Sequence, residues 1–228
     1  MSYRVITIGA FARHPLRPMD QTRPERLGYA TTTLVVSGDA AILVDPGLPG
    51  QALVPRLLER AGLEPADITH VFLTRFAPET ARALPVFDGA TWLTSEAERE
   101  AAGTPLAMML KRAAEAGDAE VVAELEVQVG LLARCEAAPD SLAPRVDLFP
   151  LPGVSPGLAG LLLPEATSTV LIAGDAVASV EHLEQGRAME GSHDPEAASE
   201  SLREAIEVAD LIVCGRDNLV LNPTKRPF

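Results

Sequence analysis

The stretch HVFLTRFAPET, from His70 to Thr80, has the pattern of a short buried strand that runs into a polar loop. Its first five residues, HVFLT, are mostly aliphatic, aromatic or β-branched, and these types favour a strand. The following RFAPET contains charged residues and a proline, which favour a loop that leads into a short helix. Functional side chains often lie on loops that a rigid strand positions. The residues from Arg75 to Thr80 are therefore the first candidates for a site.

The composition is that of a folded protein with a large core. The chain has 228 residues, of which 47% are hydrophobic, and this is enough for one large α/β domain. The formal net charge of −13 disfavours binding to phosphate-rich partners and to anionic membrane surfaces. We therefore expect no nucleic acid and no membrane among the partners. A small-molecule ligand and a protein partner remain as alternatives.

The sequence contains no segment that predicts secretion or membrane insertion. No run approaches the roughly 20 apolar residues of a membrane span. The N-terminal MSYRVITIGAF lacks the basic start, apolar run and cleavage site of a leader peptide. Cys135 and Cys214 form no CxxC pair, so both are predicted to be small core residues. We expect a cytoplasmic protein.

The first half of the chain alternates strands with helices. The segment TTTLVVSGDAAILVD (31–45) predicts a hairpin that turns at a Gly-Asp dipeptide. Leucines at helical spacing predict a helix over 51–62 that ends at a glycine. Buried strands are predicted around a short helix, at 70–74 and 90–94.

The second half opens with helices and then returns to strands. A capping box at Ser95 opens a short helix that is predicted to end at Gly103. Two longer helices follow, and we interpret about 104–138 as a helical insertion between strands. Later strands are predicted within 146–153, 157–163, 169–176 and 211–215, with one helix at 194–209.

This order of elements predicts the architecture. Strands followed by helices in each half are satisfied by two mixed sheets that pack face to face, with helices outside, which is an α+β fold. No linker is long enough to separate two domains. A single domain over 1–228, with the helical insertion at about 104–138, is therefore predicted.

Five motifs in this order resemble those of the metallo-β-lactamase superfamily. They are similar in turn to the family's early Asp-Gly motif, its HxHxDH metal motif, its PGHTPG loop, the strand of its bridging aspartate and its terminal Gly-His. The motifs are LVDPG (43–47), HVFLTRFAPET (70–80), LPGVSPG (151–157), LIAGDA (171–176) and IVCGRDN (212–218). The resemblance covers nearly the whole chain. It implies a four-layer αβ/βα sandwich and a hydrolase that binds metal.

Most residues at the metal-ligand positions that the resemblance implies are of a different type. Glu79 stands at the aspartate of the metal motif, and Asp175 keeps the type of the bridging carboxylate. The histidine positions hold, in chain order, Arg75, Ala77, Thr80, Val154 and Arg216. Alanine and valine have no donor atom, and a guanidinium stays cationic and cannot bind a metal.

The remaining histidines do not replace the missing ligands. Zinc binds imidazoles, thiolates and carboxylates gathered in a near-tetrahedral arrangement. The spacing of the four histidines gives no ligand pair; they are His14, His70, His182 and His193. We therefore predict a degenerate metal site that takes no cofactor, and in particular no zinc.

A charge network is predicted to fill the former metal cavity. Removal of a metal leaves carboxylates that need compensation, and a guanidinium can pair with them in a bidentate manner. Arg75 and Arg216 are thus expected to pair with Glu79 and Asp175, and the alternative is that both arginines extend into solvent. The resemblance implies that Asp45 lies near the site, but we expect it to accept N–H groups of its own PGLPG turn. The predicted vestigial pocket comprises Asp45, Arg75, Ala77, Glu79, Thr80, Val154, Asp175 and Arg216.

Three functions are compatible with this set of residues. The first is a binding or regulatory module, a pseudoenzyme that has lost hydrolase activity. The second is a lactone, thioester or β-lactam hydrolase with an atypical ligand set. The third is a metal-free enzyme in which Glu79 or Asp175 is the general base and an arginine stabilises an oxyanion. The ligand count favours the first over the second, and the sequence does not separate the first from the third.

Overall fold

Two six-stranded sheets form the centre of the fold within residues 1–17 and 27–225, which are the residues that this computed structural model describes. The first sheet contains, in spatial order, β1 (Ser2–Thr7), β2 (Thr32–Ser37), β3 (Ala40–Val44), β4 (His70–Phe72), β5 (Thr91–Thr94) and β6 (Glu136–Ala137). The second contains β7 (Ser141–Ala143), β8 (Val146–Pro150), β9 (Ala159–Pro164), β10 (Thr169–Gly174), β11 (Leu211–Cys214) and β12 (Leu219–Leu221). Helices cover the sheets; they are α1 (Gly50–Ala61), α2 (Pro78–Ala81), α3 (Glu96–Ala116), α4 (Ala119–Arg134), α5 (Val180–Gln185) and α6 (Pro195–Val208).

Both sheets are mixed, as predicted. In the first sheet β1, β2 and β3 are antiparallel, while β3, β4, β5 and β6 run parallel. In the second sheet β10 and β11 are the parallel pair. Parallel strands end at the same edge of a sheet. The loop after β3 therefore lies beside the loop after β4. In the same way, the loop after β10 lies beside the loop after β11.

Three hydrophobic clusters give the fold its layers. One lies between the sheets, where Phe72 and Ile42 of the first sheet face Leu161 and Ile172 of the second. Another lies on the outer face of the first sheet and includes buried leucines of α1. The third lies on the outer face of the second sheet under α6. The predicted order of helix, sheet, sheet and helix is confirmed.

The two outer helices follow from the sequence. Leu53 and Leu57 are four residues apart, so both side chains lie on one face of α1, where they are fully buried. Gly62 ends this helix in the left-handed conformation, with φ of 68°. Asp194 begins α6, because its carboxylate accepts the N–H groups of Glu196 and Ala197.

The boundaries of the helical insertion differ from the prediction. The helix that begins after Ser95 does not end at Gly103 but continues to Ala116, with Pro105 inside it. A proline has no backbone N–H, so one hydrogen bond of the helix is missing at Pro105. The residues on both sides of Pro105 are nevertheless helical. Packing of α3 along α4 supports the uninterrupted helix, because the two form a hairpin. The hairpin thus covers 96–134, and the chain enters β6 where a helix was predicted to reach about Ala137.

No helix of the described residues has the length and apolar character needed to cross a membrane. That the whole chain is one domain stays a prediction.

Candidate functional site

Four strand ends meet at one edge of the sandwich. Asp45 follows β3, and Arg75 comes shortly after β4. On the facing sheet, Asp175 follows β10 and Arg216 comes shortly after β11. The convergence arises because β3 with β4, and β10 with β11, are parallel neighbours.

Arg216 and Asp175 form a buried bidentate pair. Nε of Arg216 donates to Oδ1 of Asp175 at 2.7 Å, and Nη2 donates to Oδ2 at 2.8 Å. The exposed fraction of the Arg216 side chain is 4%, and that of Asp175 is 2%. The parallel pair of hydrogen bonds is the strongest geometry available to a guanidinium and a carboxylate.

Arg75 contacts the same carboxylate in a different way. Its Nε lies 2.9 Å from Oδ2 of Asp175, which is an ion-pair distance. Its N–H is not aimed at that oxygen, so Nε has no hydrogen-bond partner in the described structure. We regard the contact as Coulombic because the angle, and not the distance, decides a hydrogen bond here. Burial opposes ionisation of Asp175, but Arg75 and Arg216 together hold its pKa below the ordinary value.

Two glycines allow this close approach. Gly174 ends β10 with φ of 54°, and a Cβ at this position would lie 2.6 Å from Oγ1 of Thr74. A Cβ on Gly215 would lie 2.5 Å from the carbonyl carbon of Gly174. Real side chains do not fit at such distances. Gly215 therefore lets the strand end that carries Arg216 pack directly against the one that carries Asp175, and Gly174 lets the end of β10 approach Thr74 of the first sheet.

The prediction that Asp45 accepts N–H groups of its own turn is wrong. Its carboxylate accepts the N–H of Thr74 at 2.8 Å and the Thr74 hydroxyl at 2.7 Å, and it does not bind N–H groups of the 46–50 turn. The backbone of Asp45 has a positive φ of 49°, and its side chain reaches the end of β4 at Thr74. Burial raises the pKa of Asp45 to about 7. The hydrogen bonds from Thr74 oppose this rise, and the negative charge of Asp175 adds to it.

A cavity of about 490 Å³ opens beside the Arg216–Asp175 pair. We call it the arginine cavity, because four arginines and one glutamate are its charged lining residues in the described part of the chain. Its wall consists of Phe11, Ala12, Arg13, Leu27, Gly28, Arg75, Glu79, Arg82, Met189 and Arg216. Arg82 also holds the wall in place, since its Nη1 donates to the carbonyl oxygens of Gly47 and Gly28.

The structure brings some of the predicted site residues to this cavity and leaves others in the packing. Arg75, Arg216 and Glu79 line it, and Asp175 and Asp45 lie behind them. Glu79 forms no ion pair with any other described residue, although its charge acts on Arg216. The other three side chains are buried and do not line the cavity: Ala77, Thr80 and Val154.

A second polar cluster lies close to Arg216 and was not predicted. We call it the histidine cluster, and it consists of His14, Ser179, Glu181 and His182. The hydroxyl of Ser179 lies 2.8 Å from Oε2 of Glu181 and 2.8 Å from Nδ1 of His182. Nε2 of His14 lies 3.2 Å from the same Glu181 oxygen. The two rings are 6.0 Å apart, although 168 residues separate them in sequence, so spacing could not reveal the pair.

One family model matches the sequence. It describes the metallo-beta-lactamase superfamily and matches residues 26–74, which contain the first Asp-Gly motif and the strand before Arg75. None of the curated proteins searched matches this chain.

Solved structures match over most of the chain. A candidate metallo-beta-lactamase from Thermotoga maritima superposes with a TM-score of 0.68 at 17% identity, over 96% of this chain and 98% of that one. AidC, a dizinc quorum-quenching lactonase in complex with N-hexanoyl-L-homoserine, has a TM-score of 0.60 at 19% identity, over 78% and 67%. An N-acyl homoserine lactone hydrolase has a TM-score of 0.57 at 21% identity, over 82% and 80%. The resemblance predicted from sequence is confirmed, and the chain has the metallo-β-lactamase fold.

The prediction that the chain takes no cofactor is contradicted by these comparisons. AidC is a dizinc enzyme, and the homoserine lactone hydrolase binds its product at a catalytic metal center. Metal ions thus serve these two proteins that share the fold, and counting lost histidines was not enough to exclude a metal. Within residues 1–17 and 27–225, no three His, Cys, Asp or Glu side chains are grouped so that they could hold a metal ion. The donor set at the arginine cavity does not fit a zinc pair.

Proposed function

We propose that this chain is a binding module whose arginine cavity takes a small anionic molecule with an apolar part, and that it has lost classical hydrolase activity. The observation that carries the proposal is the excess of guanidinium groups around one cavity in a protein of net charge −13. Asp175 and Glu79 supply two negative charges against these four guanidinium groups, and the positive excess that remains is unfavourable unless something of opposite charge compensates it. An anionic ligand supplies that compensation.

Hydrogen-bond donors remain for such a ligand. Arg216 uses Nε and Nη2 on Asp175, and a guanidinium has further N–H groups on Nη1. Arg75 approaches Asp175 through Nε, and its two Nη groups are not used in that contact. Both side chains line the cavity, so their remaining donors can meet a carboxylate there.

The apolar part of the ligand is inferred from the apolar side chains that line the cavity. Phe11, Leu27 and Met189 line the cavity together with the arginines. Ligand cavities commonly combine apolar surface with a few placed polar groups that fix orientation. A volume of about 490 Å³ suits a small molecule better than a protein partner.

A hydrolase is the second candidate, and the lactonases among the solved proteins with this fold favour it. Of the two carboxylates considered as general base, Asp175 is the weaker, because it accepts two hydrogen bonds from Arg216 and its pKa is lowered. Glu79 lines the cavity without an ion pair to a described residue, so it is the better base. Arg75 would then stabilise the oxyanion.

Calorimetric titration with octanoate tests the binding proposal, because octanoate joins one carboxylate to an apolar chain. We expect saturable binding by octanoate and none by octanol, which has no charge. Arg75→Ala should weaken octanoate binding at least about tenfold, since a charge-assisted pair is lost. Arg56→Ala is the matched control, because Arg56 is an exposed arginine on α1 whose ion pair is with Glu59. Equal binding by octanol, or equal loss in both variants, would contradict the proposal.

Turnover separates the two candidates. The same preparation is incubated with lactone, thioester and β-lactam substrates while its metal content is measured by mass spectrometry. The binding module predicts octanoate binding without turnover. Turnover that disappears in Glu79→Gln supports the metal-free hydrolase, and turnover that disappears with a chelated metal supports a metallohydrolase. Either result would overturn a function limited to binding.

A further inference from the structure

One wall of the arginine cavity, formed by residues 11–13, is held in place by contacts that lie outside the cavity. Phe11, Ala12 and Arg13 line the cavity, and their backbone groups make no hydrogen bond to any described residue. The backbone is anchored before them, where Ala10 pairs with Tyr29 through two hydrogen bonds. We call residues 10–17 the wall segment. Its position beyond Ala10 therefore depends on packing, as of Ala12 against Gly28, and on side-chain contacts.

Those contacts converge on Glu181. Nε and Nη2 of Arg17 both pair with Oε1 of Glu181, the former at 2.6 Å. Nε2 of His14 lies 3.2 Å from Oε2, and the Ser179 hydroxyl lies 2.8 Å from the same oxygen. Two of the three donor residues belong to the wall segment, and the third is next to α5. Glu181 thus joins the wall segment to the helix that follows Asp175.

The hydrogen-bond geometry of His14 fits this role. Its Nδ1 accepts the N–H of Leu16 at 3.2 Å, so Nε2 is the ring nitrogen that is assigned as the donor toward Glu181. Phe11 packs beside the same group, with its ring edge-on to His14 at 4.7 Å and stacked on His182 at 5.7 Å. The contact that holds His14 therefore also places Phe11, which is part of the apolar wall.

We infer that Glu181 is a positioning residue that sets the ligand affinity of the arginine cavity by holding Phe11, Ala12 and Arg13 in place. The inference rests on the proposed function for the ligand, but the wall segment itself can be tested without one. Glu181 does not line the cavity, so it acts through the wall segment and not by touching the ligand. Because the wall is already ordered before binding, ligand binding does not carry the entropic cost of ordering it.

Hydrogen–deuterium exchange tests the positioning directly. In Glu181→Ala we expect faster exchange in peptides that cover residues 11–17, and no change in peptides from β4 and β10. Glu184→Ala is the matched control, since Glu184 is an exposed glutamate on the same short helix. Glu181→Gln should lie between the two, because its amide oxygen still accepts from Ser179 or His14 while the charge opposite Arg17 is lost. Unchanged exchange at 11–17 in Glu181→Ala would overturn the inference.

Octanoate titration of the same proteins connects the wall to the cavity. We expect Kd to rise roughly tenfold in Glu181→Ala, less in Glu181→Gln, and not at all in Glu184→Ala. If wild type binds octanoate and Glu181→Ala binds it equally well, the positioning role is wrong while the binding module stands. If wild type does not bind octanoate, the proposed function fails, and exchange at 11–17 alone decides whether Glu181 holds the wall.

Discussion

Asp175 and Glu181 are both carboxylates that face arginine, yet their surroundings differ. Asp175 has 2% of its side chain exposed and pairs with Arg216, of which 4% is exposed. Glu181 has 19% exposed and pairs with Arg17, of which 59% is exposed. Burial opposes ionisation in both, but neighbouring donors lower both pKa values, that of Glu181 to about 2.

A lowered pKa therefore does not measure what an ion pair contributes to stability. A charge stranded inside the protein loses its hydration without compensation, whereas one at the surface recovers water when its partner is removed. The Asp175 cluster should therefore dominate stability. The Glu181 contacts should affect mainly the local order of the wall segment.

The largest effect is expected from breaking the buried pair. Arg216→Ala should lower the free energy of unfolding by about 3 kcal/mol, because Asp175 loses its bidentate partner at a buried site. The double variant with Asp175→Ala should cost less than the sum of the single variants, since neither charge is then stranded. Denaturant unfolding of the three proteins gives the coupling energy. A coupling near zero would mean that the pair is not an interdependent unit.

An effect of similar size is expected from pH. The pKa of Asp45 is raised from 3.8 to about 7, so the folded state prefers its protonated form. The stability that this group contributes is fully present below pH 3.8 and is lost as the pH rises through about 7. Asp175 titrates in the opposite direction and below its ordinary value, so the two windows do not overlap.

Asp45→Asn isolates that pH window. In wild type we expect the free energy of unfolding to fall by about 2–4 kcal/mol between pH 4 and pH 8, as Asp45 ionises. The amide of the variant keeps an acceptor for the Thr74 N–H and cannot ionise, so this decrease should be absent from the variant. Urea unfolding of both proteins across this range measures the difference. Parallel pH profiles in wild type and variant would show that another group is responsible.

Arg75 should contribute less than Arg216. Its side chain is 19% exposed, and its Nε approaches Asp175 without a hydrogen bond. Arg75→Ala leaves the bidentate pair intact, so we expect a loss of about 1 kcal/mol in unfolding free energy. Thermal and urea unfolding beside Arg216→Ala provide the comparison. A loss as large as that of Arg216→Ala would show that both arginines are needed equally.

The smallest change in stability is expected at Glu181. Glu181→Ala should lower the free energy of unfolding by less than about 1 kcal/mol, because its arginine partner is mostly exposed. Urea unfolding next to the exchange experiment measures this. A loss above about 2 kcal/mol would place Glu181 with Asp175, and the contrast between the two carboxylates would disappear.

The parts of the fold that local pattern determines could be predicted. The hairpin of β2 and β3, the buried face of α1 and the N-cap of α6 each depend on residues close in sequence. The helix end predicted at Gly103 was wrong, because the antiparallel packing of α3 with α4 stabilises a helix that continues past this glycine. The edge strands β1 and β12 were not predicted, since their stability comes from pairing with β2 and β11.

Only those residues of the candidate site that lie in recognisable sequence motifs could be predicted. Motif order brought Arg75, Arg216 and Asp175 to one place, and the structure shows them in contact. Thr74 as the partner of Asp45 depends on the parallel pairing of β3 with β4, which a search for local turns does not consider. The histidine cluster joins residues from opposite ends of the chain, and no single segment carries a sign of it.

The glycines at the ends of β10 and β11 have a consequence for how this site can change. Gly174 leaves no room for a methyl group beside Thr74, and Gly215 leaves none beside the backbone of Gly174 and Asp175. A substitution at Gly215 must therefore push the ends of β10 and β11 apart. Such a change would separate Asp175 from Arg216 while leaving every charged residue in the sequence. Charge count and motif would then look intact in a variant whose ion pair is broken. Backbone spacing, as much as side-chain identity, defines this site.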